Sequence, residues 1–196
     1  MEGPLRGDYA SYAKDIASAG RHLLDLVNDL SDLEAIERPD FTVAGDDIDL
    51  VDLAHRAAGL LAVKAADHQI RLELPDKEQK MPASGEFRRS LQILVNLIGN
   101  AIRYSPDGSV ISLSVSADQG FARISVSDQG SGIAEEDQER IFEKFERLGR
   151  SGDGGSGLGL FISRRLAHAM GGSLTVASAA GKGSTFTLSL PARKTP

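Results

Sequence analysis

Three segments constrain the fold of this chain most, because each joins an apolar run to residues that a core seldom uses. The first, Asn96 to Tyr104 (NLIGNAIRY), carries two asparagines four residues apart in a strongly apolar helical pattern. The second, Asp128 to Ile133 (DQGSGI), follows an apolar run at 121–126. The third, Gly155 to Leu160 (GSGLGL), opens a helical pattern. Together they predict a helix, a strand end and a helix start around one pocket.

The second segment is suited to a purine base. The Asp128 carboxylate can accept a hydrogen bond from the exocyclic amine of adenine, and Gly130 and Gly132 let the backbone approach the base with no side chain in the way. A single glycine pair after a strand is more often a turn, so this segment alone does not establish a nucleotide site.

The other two segments are suited to a polyphosphate and its metal ion. The glycines before Leu158 leave backbone amides and a helix N-terminus facing an anion. Asn96 and Asn100 share one helix face, and an amide oxygen suits magnesium, while Arg103 can neutralise phosphate. Two alternatives stay open: the asparagines can serve internal polar contacts, and the glycine segment can be a flexible loop.

The order of the motifs is more specific than any one of them. The asparagine pair and DxGxG are followed by IFEKF at Ile141 to Phe145, by GxGLGL, and by GKGSTF at Gly181 to Phe186. This order resembles the catalytic and ATP-binding domain of sensor histidine kinases, in the superfamily that includes DNA gyrase, heat-shock chaperones and mismatch-repair ATPases. The resemblance covers about Asp40 to Pro191.

The resemblance implies roles for individual residues. Asn100 matches the magnesium ligand, Asp128 the adenine acceptor, and Thr185 a residue that reaches adenine through water. The segment from Leu148 to Gly154 resembles a mobile lid over ATP. The catalytic residues it implies are Asn96, Arg103 and Arg147. The nucleotide-binding residues it implies are Asn96, Asn100, Arg103, Tyr104, Asp128, Gly130, Gly132, Ile133, Phe145, Gly155, Gly157, Leu158, Gly159, Leu160 and Thr185.

Asn96 distinguishes two kinds of chemistry within the superfamily. Members that hydrolyse ATP carry a glutamate at this position, because attack by water on the γ-phosphate needs a base. An asparagine cannot take a proton at neutral pH. The pocket is therefore expected to hold ATP and Mg²⁺ for transfer to another nucleophile.

The first 38 residues form a separate pattern. Apolar residues recur in steps of three and four from Tyr9 to Leu33, which predicts one long amphipathic helix ending at Arg38-Pro39. It resembles the second helix of the dimerisation and phosphotransfer hairpin of histidine kinases. We therefore expect a partial dimerisation domain at 1–38, an ATP-binding domain at 39–196, and a homodimer through this helix.

The resemblance also implies partners: a helix carrying the phosphoacceptor histidine, and the receiver domain of a response regulator. None of the four histidines, His22, His55, His68 and His168, fits the family's acceptor motif. The acceptor is therefore expected outside this chain.

Composition narrows the function further. A net charge of −6 argues against nucleic acid as a partner, and no run reaches about 18 apolar residues, as a membrane span would require. No secretory signal segment is recognisable, and the lack of cysteine fits the cytosol. Two alternatives remain. An anti-sigma-type serine kinase would not need the N-terminal helix, and a pure interaction module would not need every motif to keep its key residues.

The periodicity predicts a two-layer α/β sandwich, a mixed sheet with helices on one face, which in this superfamily is the Bergerat-type fold. Ser84 is the expected N-cap of the central helix. The predicted helices are 50–68, 87–104 and 158–170, and the predicted strands are 70–74, 109–115, 121–127, 174–177 and 184–190.

Overall fold

The computed structural model describes residues 5–38, 41–146, 148 and 156–193. The helices are α1 (Leu5–Glu37), α2 (Leu50–Asp67), α3 (Phe87–Tyr104) and α4 (Gly159–Ala169). The strands are β1 (Asp47–Asp49), β2 (Arg71–Glu73), β3 (Pro82–Ser84), β4 (Val110–Asp118), β5 (Phe121–Ser127), β6 (Ser173–Ser178) and β7 (Ser184–Pro191). Two short 3₁₀ turns, Glu135–Asp137 and Arg140–Phe142, lie between β5 and α4.

The main sheet is mixed and has the strand order β2-β4-β5-β7-β6. Only the β2–β4 pair is parallel, with α3 in the connection between the two strands. The strands β4 and β5 are joined through Gln119 and Gly120, whose φ angles of 50° and 81° are both positive. Such a two-residue turn matches the right-handed twist of the strands and fixes their register.

The two faces of the sheet differ sharply in chemistry. Buried side chains such as Ile111, Ile124 and Leu188 form the inner layer of the core, together with residues of α2, α3 and α4. The opposite face carries hydroxyl side chains, with Ser125 paired to Thr187 and Ser127 to Thr185 at 2.9 Å between oxygens. The predicted two-layer sandwich is confirmed.

The helix α3 forms the centre of the core. Its residues Leu94, Leu97 and Ile98 are at most 1% exposed. Truncating any of them to alanine is expected to destabilise the fold by about 2–5 kcal/mol. This rigid helix also carries the asparagine pair, so the packing of the core positions the polar residues.

Several expectations need correction. Ser84 is not an N-cap: α3 begins after Glu86, with no side-chain capping bond, and Ser84 instead pairs with Asp47 in a small antiparallel sheet of β1 and β3. That sheet was not predicted, because three-residue strands carry too little periodicity. The strand β4 continues to Asp118, beyond the expected end.

The histidines whose side chains are described lie beside a backbone carbonyl, beside a carboxylate and at a helix end. His55 Nε2 lies 3.0 Å from the carbonyl oxygen of Pro75, and His68 Nδ1 lies 2.9 Å from Asp107 Oδ1. His168 stands in the last turn of α4. The side chain of His22 lies outside the described part of the chain.

The helix α1 ends at Glu37, as the following Arg38-Pro39 predicted. The apolar residues of α1 differ in burial along the helix. Leu33 and Ile36 are buried, whereas large apolar side chains nearer the N-terminus, such as Ile16 and Leu23, are exposed by 73% and 62%. Among the described residues, no helix is both long and apolar enough to span a membrane.

Candidate functional site

A cleft opens between α3, the end of β5 and the start of α4. It encloses about 630 Å³, including the part open to solvent. Its lining residues are Asn100, Ala101, Tyr104, Asp128, Ser131, Gly132, Ile133, Ile141, Glu146, Leu148, Leu160, Ser184 and Phe186. Most of this wall is apolar, so the few polar groups are well placed to orient a ligand.

Asp128 is the best-defined polar group of the cleft. Its Oδ1 accepts hydrogen bonds from the backbone N–H of Gly130 at 2.8 Å and of Ser184 at 3.1 Å. Both bonds end on the same oxygen, and the backbone N–H of Asp128 donates to the carbonyl of Ser184. Burial raises the pKa of the Asp128 carboxyl above the usual 3.8, and the bonds from Gly130 and Ser184 oppose this rise.

Three glycines around Asp128 fill positions where a side chain would collide with backbone. A Cβ on Gly132 would lie 2.0 Å from the carbonyl oxygen of Ala179, and one on Gly183 would lie 2.1 Å from that of Asp128. Both residues also have positive φ, 67° and 75°. On Gly130, a Cβ would lie 2.6 Å from the carbonyl oxygen of Tyr104. Glycine is required at these three positions because the backbone segments are in contact.

The asparagine pair lies across the cleft from Asp128. Asn100 lines the cavity, whereas Asn96 turns towards α4, where its Nδ2 donates to the buried hydroxyl of Ser163 at 3.0 Å. The two amides are linked by a long contact of 3.5 Å, from Asn100 Nδ2 to Asn96 Oδ1. Gly159 packs on Asn96, since a Cβ there would lie 2.6 Å from Asn96 Oδ1. Asn96 thus joins α3 to the first turns of α4.

The start of α4 provides backbone donors at one end of the cleft. Leu158, the residue before the helix, has no side-chain cap, and its N–H donates to Ser156 Oγ at 3.0 Å. The first amides of any helix lack partners within that helix, so they favour an anion. Leu160, in this first turn, lines the cavity. The predicted placement of the GLGL segment at a helix start is confirmed.

Sequence reasoning missed a carboxylate in the wall. Glu146 Oε1 accepts from the backbone N–H of Leu148 at 2.8 Å, and Oε2 accepts from Arg140 Nη2 at 3.0 Å. Leu148 has a positive φ of 47°. The residue after the IFEKF motif was the available signal, but nothing in the pattern showed that its side chain turns inward.

Thr185 does not reach the cleft. Its hydroxyl pairs with Ser127 on the open face of the sheet, and its neighbours Ser184 and Phe186 line the cavity instead. Side chains alternate along a strand, so a shift of one residue moves a side chain to the other face. Ser184 is therefore the residue of GKGSTF that forms hydrogen bonds with Asp128 and lines the cavity.

The structure brings together part of the predicted set. The predicted residues that line the cleft are Asn100, Tyr104, Asp128, Gly132, Ile133 and Leu160. The predicted residues that stand outside its lining are Asn96, Arg103, Gly130, Phe145, Gly157, Leu158, Gly159 and Thr185. Of these, Arg103 is exposed in the last turn of α3, and Phe145 is 63% exposed. Arg147, Gly155 and the lid residues 149–154 lie outside the described residues.

A mixed sheet under three helices, with a half-buried carboxylate, a helix-borne asparagine and a glycine-rich helix start around one cleft, defines a nucleotide-site architecture. Residues 85–194 match the family described as histidine kinase-, DNA gyrase B-, and HSP90-like ATPase. This match covers more than half of the chain. The chain belongs to that family.

Among its relatives, the histidine kinases are prominent. The chain is 36% identical over 201 residues to the histidine protein kinase DivJ of Caulobacter vibrioides, covering 100% of this chain and 33% of that protein. It is 36% identical over 186 residues to the sensor-like histidine kinase SenX3 of Mycobacterium tuberculosis, covering 92% and 45%. The chain thus spans from a third to less than half of these relatives.

Solved structures agree with the fold. Full-length ShkA in complex with AMPPNP superposes with a TM-score of 0.79 at 30% identity, covering 95% of this chain and 39% of that one. The mycobacterial sensor histidine kinase MprB superposes with a TM-score of 0.66 at 26% identity, covering 78% of this chain and 100% of that one. The first of these likenesses includes α1, because it extends over nearly the whole chain.

Proposed function

We propose that this chain is the ATP-binding catalytic part of a two-component sensor histidine kinase. The observation that carries the proposal is Asp128, a half-buried carboxylate whose Oδ1 is fixed by Gly130 and Ser184 at the wall of an apolar cleft. Among the described residues, no hydrogen bond to Oδ2 is present, so this oxygen is the acceptor for the exocyclic amine of adenine. Ser184, and not Thr185, is proposed as the residue of β7 that reaches adenine through water.

The apolar wall fits a flat base. Ile133, Ile141 and Phe186 line the cleft beside Asp128, and Tyr104 lies at its rim, 37% exposed. Burying a base between such side chains removes apolar surface from water, at about 25 cal/mol per Å². The triphosphate then extends towards the start of α4, where the backbone amides of the first turn, from Gly159 onwards, stabilise its charge. The amide of Leu158 already donates to Ser156.

A magnesium ion would enter the site with the phosphates. Among the described residues, no group of three or more His, Cys, Asp or Glu side chains could hold a metal on its own. Asn100 lines the cavity and directs its Nδ2 to Asn96, so its Oδ1 is the atom that can face a hard cation. A bound magnesium ion would neutralise phosphate charge. Arg103, which does not line the cleft, and Arg147, which is not among the described residues, are proposed to help neutralise this charge.

Transfer is favoured over hydrolysis because the described wall lacks a free base. Its carboxylates are Asp128 and Glu146. The first is proposed to bind the base, and both oxygens of the second accept hydrogen bonds, from Leu148 and Arg140. Asn96, at the position of the hydrolytic glutamate, donates to Ser163 and serves as a positioning residue. The γ-phosphoryl group is therefore proposed to pass to another polypeptide.

The proposed acceptor is a histidine outside this chain, on the helix that pairs with α1, and the phosphoryl group then passes to a response regulator receiver domain. We propose that residues 1–38 belong to a dimerisation domain and residues 39–196 to the ATP-binding domain. This part of the protein is proposed to lie in the cytoplasm, where ATP is supplied. The exposed stripe at Ile16, Leu23 and Leu30 is proposed to form a homodimer. Light scattering at high concentration should show a dimer, and a monomer would contradict this step.

The experiment that tests the function uses γ-labelled Mg-ATP, with and without a separately made hairpin that carries an acceptor histidine. Acid-labile, base-stable label on the hairpin supports the proposal. Acid-stable label on serine would instead indicate a serine kinase. No label on any protein, despite measured ATP binding, would leave only an interaction module. Asp128→Asn is the control, since at ATP concentrations below saturation it should reduce labelling strongly while the chain stays folded.

A further inference from the structure

The last turns of α1 contact both ends of the chain segment that runs from Lys144 to Ser156. Lys144 Nζ donates to Oε1 of Glu37, and Ser156 Oγ donates to Oδ2 of Asp29. Asp29 and Glu37 are separated by about two turns of helix. One part of α1 therefore contacts both ends of the glycine-rich segment.

These two ends also contact each other. The backbone N–H of Phe145 donates to the carbonyl oxygen of Gly157 at 3.0 Å. Lys144 Nζ lies 5.2 Å from the ring centroid of Phe161 on α4. A contact made by α1 at either end thus reaches the start of α4, which borders the proposed phosphate site.

Ser156 has a double role at this point. Its oxygen accepts from the backbone N–H of Leu158, and its hydroxyl proton is donated to Asp29. A serine hydroxyl has one proton and two lone pairs, so both contacts form together when the hydroxyl is correctly oriented. Asp29 therefore fixes the orientation in which Ser156 supports the residue before α4.

Contacts elsewhere hold this part of α1 in place. Asp32 accepts from Arg89 Nη1 at 2.7 Å and from Gln92 Nε2 at 2.6 Å, both on α3. Leu33 and Ile36 are buried in the core, at 7% and 4% exposure. The bonds of Asp32 do not involve the Lys144–Ser156 segment, so Asp29 is presented to Ser156 by a part of α1 that is held to α3 independently of that segment.

We propose that Asp29 and Glu37 are positioning residues for nucleotide binding, and that the docking of α1 is energetically coupled to nucleotide affinity through Ser156 and Lys144. The inference rests on the proposed function, because it names the element that prepares that site. Fixing the α4 start before ligand arrives lowers the entropic cost of binding. By thermodynamic linkage, bound nucleotide must strengthen the docking of α1 by the same factor.

The test is the affinity of the whole chain for Mg-ATP, measured by isothermal titration calorimetry on a matched series of variants. Asp29→Ala is expected to weaken affinity about three- to tenfold, the size of one net hydrogen bond. Asp29→Asn, which keeps an acceptor oxygen, is expected to retain most of the affinity. Glu34→Ala is the matched control, because it removes the same charge from the same part of α1. Glu34 is 76% exposed, and among the described residues its ion pair is with Arg38.

Two outcomes would overturn the inference. Equal affinity in the wild type and in folded Asp29→Ala would show that α1 does not prepare the site. An Asp29→Asn variant as weak as Asp29→Ala would assign the effect to charge and not to the hydrogen bond. If the wild type itself fails to bind Mg-ATP, the proposed function is wrong. If the wild type binds and Asp29→Ala binds equally well, only the coupling to α1 is wrong.

Amide hydrogen exchange can distinguish coupling through Asp29 from a merely structural role of this residue. Mg-ATP should slow exchange at the end of α1, around Leu33 to Glu37, in the wild type. The slowing should be smaller in Asp29→Ala by the same factor that affinity falls. Equal slowing in both chains would contradict the coupling.

Discussion

The two walls of the cleft are constructed in different ways. Around Asp128, backbone touches backbone: three glycines allow the contact, and two N–H groups fix one carboxylate oxygen. Around α4, side chains touch side chains, as in the contacts among Asn100, Asn96 and Ser163. The first wall can adapt very little, whereas the second can adjust by rotating a side chain. Substitutions should therefore be far more costly in the first wall.

The largest effect is expected when alanine replaces a glycine in each wall. In Gly183→Ala the new methyl meets the carbonyl of Asp128 at 2.1 Å, so the free energy of unfolding should fall by about 3 kcal/mol or more. In Gly159→Ala it meets the Asn96 side chain, which can move, so the change should stay within about 1 kcal/mol. Chemical denaturation measures both.

Gly108→Ala is the control for that pair of variants. Gly108 also has a positive φ, 79°, but no atom lies within 4 Å of the place where its Cβ would be. The free energy of unfolding of Gly108→Ala should fall by only about 1–2 kcal/mol, the cost of placing an alanine at positive φ. A loss in Gly183→Ala no larger than in Gly108→Ala would show that the backbone contact is not tight.

Removing the charge of Asp128 comes next in size. Asp128→Asn should weaken Mg-ATP affinity by about 1.5–3 kcal/mol, since a hydrogen bond to an ionised acceptor is lost. In the opposite wall, Asn100→Ala should have a smaller effect that depends on magnesium. Calorimetric titration with and without magnesium compares them, with exposed Asp107→Asn as the control. Equal magnesium dependence in Asp128→Asn and Asn100→Ala would contradict the assignment of the walls.

A smaller effect is expected from Asn96→Ala, because its bond is to Ser163 and not to ligand. The free energy of unfolding should fall by about 1–3 kcal/mol, as the buried hydroxyl of Ser163 loses a partner. A double variant with Ser163→Ala should lose less than the sum of the two single losses. Strict additivity in thermal or chemical unfolding would show that the two residues act independently.

The smallest effect concerns pH. The pKa of Asp128 is raised by burial above 3.8, so its contribution to stability is fully present below that pH and is lost as the pH rises through the folded pKa. At neutral pH, Asp128→Asn should therefore be as stable as the wild type or slightly more so. Its advantage should disappear on acidification. Unfolding midpoints from about pH 3 to 7 measure this, and a growing advantage at low pH would contradict it.

Sequence periodicity predicted most of the elements, because helices and strands that bury one face repeat their apolar residues at a fixed spacing. The DxGxG and GKGSTF motifs indicated Asp128 and the glycines beside it as candidates, because close backbone contacts require these residue types. The resemblance assigned the role beside adenine to Thr185, whereas Ser184 lines the cleft, because neighbouring residues of β7 occupy opposite faces. Neither periodicity nor motif could place Glu146, whose inward direction depends on Arg140, a residue of another turn.

The same limit applies to α1. Its apolar repeat is as regular near Ile16 as near Leu33, yet only the second is buried. Periodicity predicts that a helix has an apolar side. What covers that side depends on which other elements come near, and this is a tertiary property.

The two-residue turn at Gln119 and Gly120 has a consequence for the order in which the sheet assembles. The β4–β5 hairpin pairs residues that are close in sequence, so it can form on the microsecond scale of isolated hairpins. The Asp128–Ser184 contact spans 56 residues and must await the arrival of β7, which is slower because a long loop has to close. During synthesis on the ribosome, the sheet is therefore nucleated well before the wall around Asp128 can be completed.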